Sequence, residues 1–125
     1  MALEEYVGAI VLEVDGVEAE VVTLSVTKQT GKKPVKTMNR RGKVKGFARG
    51  IATYELKVTV VIPLGGDSID WDNIEGGKIT QFPVAPGGQR ISYPDCVTID
   101  SSEQYTADNE ARKDLTLFST DEVKE

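Results

Sequence analysis

Residues 51–62 read Ile-Ala-Thr-Tyr-Glu-Leu-Lys-Val-Thr-Val-Val-Ile. Thr53, Glu55, Lys57 and Thr59 alternate with Ala52, Tyr54, Leu56, Val58, Val60 and Ile62, which are mostly apolar. A period of two places the two sets on opposite faces of a half-buried strand. Pro63 ends it, because proline has no N–H to give to a ladder. Residues 17–28 repeat the pattern, with Val22, Leu24 and Val26 on one face and Thr23, Ser25 and Thr27 on the other. The apolar, β-branched run at 7–14 precedes them across Asp15-Gly16, a dipeptide suited to the positive φ values of a tight hairpin turn. The predicted sheet has an apolar face that covers a core. Its other face carries Thr23, Ser25, Thr27, Thr53, Glu55, Lys57 and Thr59 and is hydrophilic along its whole length. Such a face meets bulk water or lines an aqueous lumen.

Between these strands, residues 29–50 lose the periodicity and are punctuated by Gly31, Pro34, Gly42, Gly46 and Gly50. They read as a long loop or arm, with room for local structure of its own. Beyond Pro63, residues 67–75 read as one short helix. Asp67 or Ser68 would cap it, Asp70 and Asp72 suit its N-terminal end, and Gly76-Gly77 stops it. Ile69, Trp71 and Ile74 would anchor it. Strand-like runs return at 78–84, 90–99 and 111–119, with a polar stretch at 100–110 between the last two. The charged residues 120–125 are expected to fray. The reading is a single mainly β domain over 1–125, a sandwich or barrel with one short flanking helix and a long basic loop.

Composition narrows the chemistry. The chain has 125 residues, one cysteine and no histidine. That excludes Ser-His-Asp and Cys-His nucleophile arrangements, histidine-based metal sites, cysteine-rich zinc sites and an internal disulfide. The acidic N-terminus and short apolar run 6–12 do not make a signal peptide, and no stretch approaches the ~18 apolar residues of a membrane span. These features point to an intracellular protein. Asp67, Asp70, Asp72 and Glu75 cluster as calcium ligands can, but Ile74 falls on a ligand position and no glutamate closes the loop. The glycine pairs 65–66, 76–77 and 87–88 lack the Gly-Lys-Ser/Thr ending of a phosphate loop and read as turns. Cys96 reads as a buried, inert thiol. Glu18, Glu20 and Glu55 read as solvated strand positions rather than as a catalytic pair. No enzyme, cofactor or metal is expected.

The net charge of −5 is sharply segregated. Lys28, Lys32, Lys33, Lys36, Arg40, Arg41, Lys43, Lys45 and Arg49 lie in one run that contains no acidic residue, while the remaining chain sets six basic side chains against twenty acidic ones. Such asymmetry reports on partners. One reading is phosphate neutralisation on a nucleic acid. Against it, the run holds a single aromatic residue, Phe47, where single-strand binders interleave several, and the anionic body repels a polyanion. A solvated, flexible loop is the plain alternative, and a further one is that the arm docks on the acidic surface of another copy. That contact is heterologous and builds rings or open filaments.

Taken in order, these segments resemble the tail tube proteins of tailed bacteriophages, particularly contractile-tailed ones. The resemblance is carried by Val17-Glu18-Ala19-Glu20, by Thr30-Gly31-Lys32-Lys33-Pro34-Val35-Lys36-Thr37-Met38-Asn39-Arg40 and by Gly46-Phe47-Ala48-Arg49-Gly50 running into Tyr54-Glu55-Leu56-Lys57-Val58-Thr59-Val60. The Asp70-Trp71 helix and strand 111–119 complete it. It implies a β-sandwich with a flanking helix, the same fold as the type VI secretion tube protein. Six copies would form rings whose inner strands join into one barrel, and stacked rings would make a tube through which DNA passes without specific binding. The nine basic residues would then form an inter-subunit arm reaching toward an adjacent ring. Thr23, Ser25, Thr27, Thr53, Glu55, Lys57 and Thr59 would line the lumen, where Lys57 is a departure unless a carboxylate neutralises it. Partners would be further copies of the chain, with sheath, baseplate and terminator proteins. The location would be a virion tail assembled in the host bacterial cytoplasm. A tail initiator or terminator capping the tube, or a small nucleic-acid-binding β-barrel, are the alternatives.

Overall fold

A computed structural model describes residues 3–66 and 69–125. Asp15 and Gly16 both take positive φ (51° and 85°) and join β1 (Ile10–Val14) to β2 (Val17–Ala19), the hairpin expected from that dipeptide. After Glu20 the chain becomes β3 (Val21–Gln29), which pairs with β6 (Thr53–Val61) instead of continuing beside β1. The strand expected at 17–28 is therefore two strands. β7 (Glu75–Pro83), β8 (Ile91–Gln104) and β9 (Arg112–Ser119) complete an antiparallel sheet in the order β2-β1-β7-β8-β9-β6-β3. Its first and last strands are consecutive in sequence, with Glu20 alone between them. Adjacent Cα atoms are only ~3.8 Å apart, so the sheet must curl until its ends nearly meet.

Strand β8 makes the curl possible by serving both halves. Its first part pairs with β7 from Gln81↔Ile91 to Glu75↔Val97, and its second part pairs with β9 from Val97↔Phe118 to Gln104↔Arg112. The inward faces enclose Leu12 and Val14, Leu56, Val58 and Val60, Ile79, Tyr93, Cys96, Leu115 and Leu117. Trp71 closes one end of this core. Burial of apolar area on this scale is the main force holding a domain of this size.

Several expectations need correction. The helix expected over 67–75 is a single 3-10 turn, Trp71–Asn73, and Asp70 at its start makes no side-chain cap. The proposed caps Asp67 and Ser68 lie outside the described residues. The turn is held from outside: Thr98 Oγ1 donates to the Trp71 carbonyl, and Lys113 Nζ, buried on β9, reaches Asp72 at 3.3 Å. Ser101 and Lys113 hold the Asp72 carboxyl below its ordinary value. Gly76-Gly77 stops no helix, because both residues lie within β7, where the ladder with β8 slips and Gly76 takes φ 77°. Val22 does not share the core face of Leu24 and Val26. A bulge between Val21 and Thr23 turns it out to 42% exposure, and Val21 takes the inward place. The polar stretch 100–110 begins as strand, since β8 runs on to Gln104. Residues 120–125 are tied down as well: β10 (Val123–Lys124) extends the line of β9 along β8, and the Glu125 N–H donates to the Arg90 carbonyl at 2.9 Å.

Candidate functional site

Two features stand apart from the core, a polar sheet face and a charged hairpin. The β3–β6 register puts Thr23 opposite Thr59, Ser25 opposite Lys57, Thr27 opposite Glu55 and Gln29 opposite Thr53. All seven residues singled out for a lumen face therefore share one surface. Two of these rows run on as polar residues across β9 and β8, Thr59 facing Asp114 and then Ser102 and Lys57 facing Thr116 and then Asp100, while the Glu55 row meets the exposed Phe118. Those four additional polar residues went unnoticed in the sequence, although Asp114 and Thr116 alternate with Leu115 and Leu117 on a period of two. The face is knit by Thr59 Oγ1 donating to Asp114 Oδ1 at 2.7 Å. Lys57 Nζ lies 3.8 Å from Glu55 Oε1, so the one cation of these rows has a carboxylate beside it. Both side chains are exposed, and such a pair contributes only ~0–1 kcal/mol.

This four-stranded face ends in two unpaired edges. One is the outer side of β3, which among the described residues has β6 as its only neighbour in the sheet. The other is β8 beyond Thr98, where β7 has already ended at Glu75↔Val97. Residues 99–104 are all exposed there. Free strand edges are templates for pairing with another chain.

The arm is built rather than slack. β4 (Lys32–Val35) and β5 (Gly46–Arg49) pair antiparallel as a separate two-stranded sheet. At its root the Gly50 N–H donates to the Gly31 carbonyl at 2.8 Å, and a Cβ on Gly31 would stand 2.6 Å from the Ile51 carbonyl oxygen. At its tip, Asn39 Oδ1 accepts from the N–H groups of Arg41 and Gly42, and Asn39 Nδ2 donates to the carbonyls of Thr37 and Lys43. Seven of the eight residues in the two strands are exposed.

Lys32, Lys33, Lys36, Arg40, Arg41, Lys43, Lys45 and Arg49 all sit on this hairpin or its tip, and among the described residues none forms an ion pair. Arg49 stacks over the Phe47 ring at 5.5 Å. Lys28 differs. It has the inward parity of Leu24 and Val26 on β3, and its Nζ reaches Glu122 Oε2 at 2.6 Å, which ties the C-terminal segment to the body. Lys28 is an intramolecular anchor, not a free cation of the arm.

Among the described residues the remaining groups form no catalytic arrangement. Burial pushes the Cys96 thiol above its ordinary value, and it donates to the Tyr93 carbonyl at 3.0 Å. Burial likewise pushes the Tyr93 phenol up to about 12. Among the described residues no cluster of His, Cys, Asp and Glu could hold a metal ion.

No family model matches the sequence, and no curated protein matches it. Solved structures do. One is a chain of an extracellular contractile injection system, described as the PVC sheath/tube terminator in its extended state. It superposes with a TM-score of 0.75 at 12% identity, over 99% of each chain. The fold is that of the tail tube proteins. A chain of the PVC sheath-tube complex matches with a TM-score of 0.69 at 11% identity, over 93% of this chain and 87% of that one. Hcp1 from Flavobacterium johnsoniae matches with a TM-score of 0.61 at 10% identity, over 95% and 94%. The tail-tube fold thus accommodates a sequence in which about nine positions in ten differ from these structures.

Proposed function

We propose that this chain is a structural subunit of a tail-type tube and has no enzymatic activity. Copies close into six-membered rings through their free strand edges, and rings stack through the cationic hairpin. The observation that carries the reading is the pair of unpaired edges bounding one polar face. Pairing the β3 edge of one copy with the 99–104 edge of the next continues that face without interruption, and a ring built this way turns it into the wall of a pore. The wall carries Thr23, Ser25, Thr27, Thr53, Thr59 and Thr116 with Asp100 and Asp114, and Glu55 offsets Lys57. A hydroxyl-rich, net anionic wall offers no unpaired cation to displace the counterions of the phosphates, so DNA passes without binding. Sheath, baseplate and terminator proteins are the partners, and the tail of a virion, assembled in the cytoplasm of a bacterial host, is the place of action.

Negative-stain electron microscopy of the concentrated protein tests this. Rings or tubes across a range of salt are expected, and their absence throughout overturns it. Reversing four arm charges together (K32E, K33E, R40E, R41E) should abolish tubes while the folded subunit melts as before. Tubes that still form would remove the arm from the assembly.

A second reading is a terminator that caps the tube, favoured by the match to a chain of a sheath/tube terminator structure over nearly its full length. It predicts rings that do not stack on one another.

A further inference from the structure

The hairpin and a cleft of the body lie at opposite ends of one ladder. The hairpin leaves β3 after Gln29 and re-enters β6 at Thr53, where Gln29 faces Thr53. The cleft, of 550 Å3, opens where Val21 faces Val60, eight residues back along β3. At ~3.4 Å per residue the two are about 27 Å apart. The cleft has an apolar floor that includes Val22, Val61, Pro63 and Trp71, and an acidic rim of Glu18 and Glu20. Both glutamates are exposed, and among the described residues neither has an ion-pair partner. Glu18 also stands directly opposite Glu13 across the β1–β2 ladder, and of the two only Glu13 has a cation of its own chain near it, Arg90 at 3.9 Å.

The hairpin tip is the complement of this cleft. Met38 is fully exposed at its edge, with Arg40, Arg41 and Lys43 beside it, and among the described residues these three cations have no anionic partner. The Asn39 staple fixes the tip and the Gly31–Gly50 contact fixes the root, so docking costs little further ordering. A knob at one end of a molecule and a socket at the other repeat head to tail, which is heterologous association without closure.

We infer that the cleft between Glu18, Glu20 and Trp71 is the receptor for the hairpin tip of a second copy, with Met38 entering the apolar floor and Arg40 and Arg41 meeting the two glutamates. This rests on the proposed tube role and names the surface that receives the arm. An anionic rim disfavours a nucleic acid as occupant, and the basic, apolar-tipped hairpin of the same chain fits it.

Cross-linking tests the inference. The double variant Met38→Cys, Val22→Cys, assembled and then oxidised with copper phenanthroline, should give a ladder of covalent multimers on a denaturing gel. Each single variant should give none beyond a dimer. Cys96 is fully buried and does not compete. Independently, Glu18→Lys with Glu20→Lys should abolish stacking, and adding Arg40→Glu with Arg41→Glu should restore it. Tubes that form without a ladder, and that ignore the charge swap, overturn this inference and leave the tube role standing. Wild-type rings that never stack overturn it in favour of the capping role. Wild-type protein that forms neither rings nor tubes overturns the tube role and this inference with it.

Discussion

The curled sheet and the hairpin are both antiparallel β-structure, yet they are held by different physics. In the sheet, Leu56, Leu115 and Leu117 are at most 1% exposed and belong to one buried apolar cluster. In the hairpin, Val35, Met38, Val44 and Phe47 are exposed, and backbone pairing, two glycines and one asparagine side chain keep the shape. An isolated two-stranded hairpin is marginal in water. The core of the sheet is closed within one chain, whereas the hairpin leaves its apolar side chains and its charge exposed.

That contrast can be broken from either side. Leu117→Ala should have the largest effect, because Leu117 is wholly buried and truncation leaves a cavity. A loss of about 2–5 kcal/mol is expected, or roughly 10–20 °C in a thermal melt, with the protease sensitivity of the hairpin in native conditions unchanged. Gly31→Ala should act the opposite way. Gly31 has φ 80° and no room for a Cβ beside the Ile51 carbonyl, so strain of about 1–3 kcal/mol should loosen the hairpin root. Trypsin should then cut within 29–50 faster, with little change in the melt. A melt shifted as far as that of Leu117→Ala would mean the two regions share one cooperative unit.

The smallest effect concerns β10. The Ser92 hydroxyl, aided by Lys78 and Arg90, holds the Glu125 carboxyl below its ordinary 4.5. A carboxyl depressed by folding contributes fully above its unfolded value and loses the contribution as pH falls through its folded value. The Glu125 amide should therefore lose protection from exchange, relative to the β8 amides, below about pH 4.5. Glu125→Gln should remove that pH dependence.

The parts legible in the sequence were those in which one face meets a core and the other meets water. Thr53 to Ile62 and Thr23 to Thr27 carry that alternation, and the structure pairs them residue by residue. The 100–104 extension of β8 was illegible because both its faces are exposed, so no apolar period marks it. The Val22 bulge leaves no local trace either, being set by what β6 presents. Gly76-Gly77 carried the mark of a helix stop but serves the ladder slip in β7, since positive φ answers either need. Composition located the nine cations. It could not separate Lys28, whose partner Glu122 lies 94 positions away, from the eight that are unpaired.

The passage from β2 to β3 through Glu20 alone makes the sheet a hoop fastened to itself. A strand at the end of an open sheet can slip by two residues and keep its pattern of faces. Here such a slip in β3 drags β2, and through β2 the hairpin with β1, so the whole circumference would have to move together. An edge offered to a neighbour by such a hoop keeps its phase, and phase is what successive copies must agree on.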